Sequence, residues 1–73
     1  MEWQNLHVRV KPHAIERAWK RGLSPGGIER IIQNGRMERF GKNGVKFVGK
    51  KFVLIARVEP MRLNIITVVK RES

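Results

Sequence analysis

The chain has 73 residues, no cysteine, and 16 Lys and Arg against six acidic residues, all of them Glu, for a net charge of +10. That length holds one domain, 1–73, and its core can be little more than a layer of helix on a small sheet. The absence of cysteine excludes disulfides, thiolate metal sites and a cysteine nucleophile. So large a positive excess on so small a domain favours a polyanionic partner, nucleic acid first. The charge is uneven. Residues 1–35 hold six Lys/Arg and three Glu, and residues 36–73 hold ten and three, so the two halves carry +3 and +7.

No apolar run approaches the roughly 20 residues of a membrane span. The opening "MEWQNLHVRV" lacks the basic and then apolar order of a signal peptide. The expectation is a cytoplasmic protein with no membrane partner.

In chain order, "LHVRV" (6–10) alternates apolar and polar residues and reads as a short extra strand. Pro12 suits the first turn of a helix, which runs to Lys20 or Arg21 and stops at Gly22. Ser24 and Pro25 form a second start, an N-cap followed by proline. Ile28, Ile31 and Ile32 recur at helical spacing, and "NG" at 34–35 ends that helix. The period then changes to two. "RMERF" alternates, and "GKNG" (41–44) predicts an Asn43-Gly44 hairpin turn. "VKFVG", "FVLIARV" and "RLNIITVVK" supply three more strands, the last two apolar enough to be central. Helices first and antiparallel strands after predict an α+β fold, with two N-terminal helices on a four-stranded antiparallel sheet.

On a wheel of about 100° per residue, Ala14, Ile15, Ala18 and Trp19 share one arc of the first helix. The predicted core combines Ile15 and Trp19 with Ile28, Ile32, Leu54 and Ile65. Trp3 precedes any firm element and is the tryptophan expected to be exposed. The opposite arc of the first helix carries His13, Glu16, Arg17, Lys20 and Arg21. One reading makes this a solvated face with Glu16 pairing Lys20 at i, i+4. The other makes it a phosphate grip, with neutral His13 at the positive helix end poised as a base.

Metal chemistry finds little material. His7 and His13 are the only histidines, and Glu2, Glu16, Glu29, Glu38, Glu59 and Glu72 are scattered. No metal and no other cofactor is expected, and no phosphate-binding glycine loop is present. Metal-free phosphodiester chemistry remains. RNA supplies its own 2′-OH nucleophile, and the protein then needs an acid, a base and cations.

The stretch "HAIERAWKRGLSPGGIERIIQNG" resembles the opening of a family of short domains of unknown function from bacteria, archaea and phages. "IITVV" resembles that family's last strand. The resemblance spans about residues 7 to 70. The family is grouped with the barnase–EndoU–colicin–RelE-like fold, in which many members are metal-free RNases and toxins. The resemblance implies His13 as acid or base, Arg17 as a phosphate clamp and Thr67 as a polar group on the sheet. This chain lacks the tyrosine with which many members end their last strand.

The expected function is action on RNA rather than DNA, as a metal-independent endoribonuclease or toxin-like protein, with an antitoxin or other protein as further partner. A non-catalytic nucleic-acid binder and a protein-interaction module stay open beside it, so the enzyme question is undecided by the sequence. The cations expected on nucleic acid are Arg17, Lys20 and Arg21 on the first helix and Lys46, Lys50, Lys51 and Arg57 in the more basic half. Arg17 and Lys51 are expected to flank one cleft, with His13 beside them.

Overall fold

The computed structural model describes residues 1–71; Glu72, among the scattered carboxylates above, lies outside the described residues. Two short strands come first, β1 (Glu2–Trp3) and β2 (Leu6–Val10), then two helices, α1 (Pro12–Lys20) and α2 (Pro25–Asn34). Four strands follow: β3 (Arg36–Phe40), β4 (Gly44–Val48), β5 (Phe52–Val58) and β6 (Arg62–Lys70).

The local chemistry explains most of these boundaries. Pro12 and Pro25 occupy the first turns of their helices, where a missing N–H costs nothing. Ser24 Oγ accepts from the Gly27 N–H at 3.1 Å, capping α2. Gly22 ends the α1 segment at φ +78°. That is the left-handed conformation, which glycine adopts without strain.

The expected four-stranded antiparallel sheet is corrected by the structure. The sheet is six-stranded and mixed, in the order β1-β2-β6-β5-β4-β3. Strands β3 to β6 form an antiparallel meander, and β2 pairs with β6 in parallel through Val8↔Leu63 and Val10↔Ile65. A two-residue turn at Gln4 and Asn5, with φ of 49° and 67°, then folds β1 back onto β2. Positive φ at both central residues is what a tight hairpin turn demands. The sheet curls enough for Trp3, on β1, to meet Phe47, on β4, edge to face at 5.4 Å. Trp3 is therefore packed against the core rather than standing free.

The β3–β4 turn also differs from expectation. Phe40 pairs with Gly44, so the loop is three residues, and the left-handed residue is Gly41 at φ +60°. Gly44 is a strand residue with its own reason to be glycine. A Cβ there would lie 2.6 Å from the Phe40 ring, which covers it.

One face of the sheet carries the core: Val45, Phe47, Leu54, Ala56, Leu63, Ile65 and Val68 are buried with Ala14, Ala18, Ile28 and Ile32 of the helices. The predicted core is wrong at two places. Ile15 is 52% exposed and Trp19 is 80% exposed. Helix α1 meets β6 through Ala14 and Ala18, which allow close approach. That contact is rotated by about 50° on the wheel from the centre of the apolar arc. Ile15 and Trp19 are left on one flank of the helix and the cations on the other.

A bulge between Ile55 and Ala56 of β5 and the facing residues of β6 leaves Ile66 as the extra residue. It reverses the alternation along β6. Val68 turns into the core, and Thr67, opposite Ile55, faces away from the helices.

Candidate nucleic-acid interface

On α1, His13, Arg17 and Lys20 are all exposed. Lys20 Nζ lies 3.0 Å from Glu16 Oε1, an i, i+4 pair on the water side. The side-chain bond and charge of Lys20 hold the Glu16 carboxyl below its ordinary value, and the charges of His13 and Arg17 add in the same direction. Part of the stripe's positive charge is thus answered within its own helix turn. Thr67 does not join it, because strand alternation puts Thr67 on the sheet face opposite the helices. The three residues implied as catalytic stand at two separate places.

A second set of cations converges elsewhere. A cavity of about 570 Å³ lies between the side of α2 and the β4–β5 turn. Arg30 of α2, Lys50 and Lys51 of the turn, and Arg71 after β6 all line it. Asn34 is the other polar side chain on its wall, and among the described residues no carboxylate and no histidine lines it. Arg71 is tied to the turn: Nη1 donates to Gly49 O at 3.0 Å, and its backbone N–H donates to Lys51 O at 2.8 Å.

The sequence builds this cleft with two glycines. A Cβ on Gly35 would lie 2.5 Å from Ile31 O and 3.0 Å from Val48 O. A Cβ on Gly49 would lie 3.0 Å from Ile31 Cγ1. Without side chains at both, the turn sits directly against α2 and brings Lys50 and Lys51 beside Arg30. The cations keep their net positive field because no carboxylate shares the described wall with them.

The expected cleft between Arg17 and Lys51 is therefore replaced. Lys51 shares its cleft with Arg30 and Arg71, and neither Arg17 nor His13 lines it. Arg21 is exposed just past α1. Lys46 and Arg57 lie on the sheet face away from the helices. There Lys46 Nζ sits 5.7 Å from the centre of the Phe40 ring, within reach of a cation–π attraction. Arg30 and Arg71 were not among the sequence candidates. Each is an ordinary exposed arginine in its own segment, and only the fold brings them together.

The apolar flank of α1 opens onto a separate groove of about 310 Å³, where Ile15 and Trp19 face Val8, Val10, Ile28 and Ile32. Among the described residues no three His or Glu side chains gather as a metal site. No helix among them is long and apolar enough to cross a membrane.

No protein-family model, no curated protein and no solved structure matches this chain.

Proposed function

We propose that this protein binds single-stranded nucleic acid, with the sugar–phosphate backbone held in the cleft between α2 and the β4–β5 turn. One observation carries the reading. Four cations from three parts of the chain, Arg30, Lys50, Lys51 and Arg71, line one concave site with no carboxylate among its described residues. Convergent cations in a concave surface attract phosphate more strongly than the same charges spread on a convex helix. The cleft's volume of about 570 Å³ is small against a duplex, which favours a single strand lying in it. RNA is favoured over DNA by the resemblance of the first helices to the RNase-rich family, and the cleft itself is neutral on that choice.

The reading is a binding function. A cleft lined by Arg and Lys grips phosphate, but general acid–base cleavage near neutral pH is best served by a histidine or carboxyl group. The endoribonuclease reading rests on His13 of α1. Both are tested by fluorescence anisotropy with an unstructured RNA 12-mer in EDTA, followed by gel analysis of the same RNA. Saturable binding that weakens about tenfold or more in Arg30→Gln/Lys51→Gln is expected, with intact RNA at the end. Unchanged binding in that variant would remove the cleft from the function. Cleavage lost in His13→Ala would restore the enzyme reading.

A further inference from the structure

The sheet face away from the helices carries a feature the cleft does not use. Strand register sets Arg9 of β2, Asn64 of β6 and Arg57 of β5 side by side in one row, on the face opposite the core. Asn64 is 6% exposed although no helix covers that face, and Arg9 and Arg57 on either side are exposed. Its Oδ1 is sealed from solvent and has no hydrogen-bond partner. A buried acceptor without a donor is uncommon in a folded protein and calls for an explanation. A ligand cannot supply the donor, since Oδ1 is closed to solvent. Only a protein side chain that rearranges can, and Arg9 and Arg57 are the donors on either side of it. Each has five N–H donors, enough to bond Oδ1 inward and a phosphate oxygen outward. Both arginines stand exposed on strands two apart, roughly 10 Å from backbone to backbone, and a phosphate between them can draw the two guanidinium groups together.

We propose that Arg9 and Arg57 form a second phosphate site on the uncovered sheet face, and that Asn64 is its positioning residue, orienting both guanidinium groups through Oδ1. This rests on the nucleic-acid reading of the cleft and extends it to a path. Val48 lines the cleft and lies on β4 four residues from Gly44, which is opposite Arg57. At about 3.3 Å per residue that is roughly 13 Å. Lys46 stands midway, and the Phe40 ring over Gly44 offers a base a surface to stack on. A single strand leaving the cleft along β4 meets Lys46, then Phe40, then the Arg9–Asn64–Arg57 row.

The test compares RNA 12-mer affinity against salt for the parent, Arg9→Gln, Arg57→Gln, Asn64→Leu and the cleft variant Arg30→Gln/Lys51→Gln. Each arginine variant should lower the slope of log K against log salt by about 0.7. Asn64→Leu removes the orphan acceptor and keeps the branched outline of the side chain, so thermal stability should hold or rise while affinity falls about threefold or more. A merely structural Asn64 would show the reverse, a lower melting temperature with unchanged affinity, and that overturns the proposal. Loss of affinity in the cleft variant alone also overturns it and leaves the cleft reading standing. If the parent binds no RNA, the cleft reading fails, and titration with inorganic pyrophosphate decides the sheet site. Saturable shifts of the Asn64 side-chain amide in NMR spectra would keep it, and no shift would overturn it.

Discussion

Helix α1 and the α2 cleft carry similar cations, yet the two regions are physically unlike. On α1 the cations stand on one exposed helix flank, each free to point into water, and Lys20 is answered by Glu16 at 3.0 Å. In the cleft they come from a helix, a turn and the segment after the last strand, and no described carboxylate lines the space between them. Counting charge along the sequence favours α1, where His13, Arg17, Lys20 and Arg21 cluster within nine residues. Concavity and the absence of counter-charge favour the cleft. Charge density in sequence is a poor guide to where a polyanion binds, because the field that matters is summed in space.

The largest expected effect concerns what holds the cleft together. Ile32 anchors α2 and is 4% exposed, whereas Ile15 on α1 is 52% exposed. In urea unfolding, Ile32→Ala should cost about 2–5 kcal/mol and Ile15→Ala less than about 1 kcal/mol. Equal losses would mean that α1 is anchored by its flank after all, and that the two helices are not distinguished by their packing.

A smaller effect sharpens the electrostatic side. The Glu16 carboxyl titrates below its ordinary 4.5 because Lys20 bonds it in the folded state. A depressed folded value means that its stabilisation is present above the unfolded value and is lost as pH falls through the folded one. The melting temperature of the parent should therefore drop slightly more than that of Glu16→Gln as pH is lowered through and below 4.5. The difference should be small and fade with added salt, since the pair is fully in water. A difference that persists in high salt would mean the pair is shielded from solvent.

Much of the local structure was legible in the sequence, and the assembly was not. Pro12, Gly22, Ser24 and Pro25 bound the helices through their own backbone chemistry, which acts within a few residues. Strands β3 and β4 follow their alternation, and β5 and β6 their apolar runs. Strand β1 was missed because two residues carry no period, and its turn uses Gln4, a residue with no special liking for positive φ. The parallel pairing of β2 with β6 joins residues more than 50 apart, and no local signal encodes it. Ile66 shows the limit of pattern reading. A single bulge residue inside "LNIITVV" exchanges the faces of everything after it, so Thr67 turns outward and Val68 inward. The α1 wheel located an apolar arc, but the sheet chose its alanine edge because small side chains let the backbone come closest. Of the candidate site, Lys50 and Lys51 were found from their place at a turn. Arg30 and Arg71 needed the fold.

The salt dependence of RNA binding in two matched double variants tests the central claim most directly. Each variant removes two cations, so any general loss of charge is equal. Arg30→Gln/Lys51→Gln should lower the slope of log K against log salt by about 1.4, as expected for two lost phosphate contacts on a single strand. Arg17→Gln/Lys20→Gln should leave the slope nearly where it is in the parent. A full loss of slope in the α1 variant, with the cleft variant unchanged, would contradict the account and return the polyanion to the first helix.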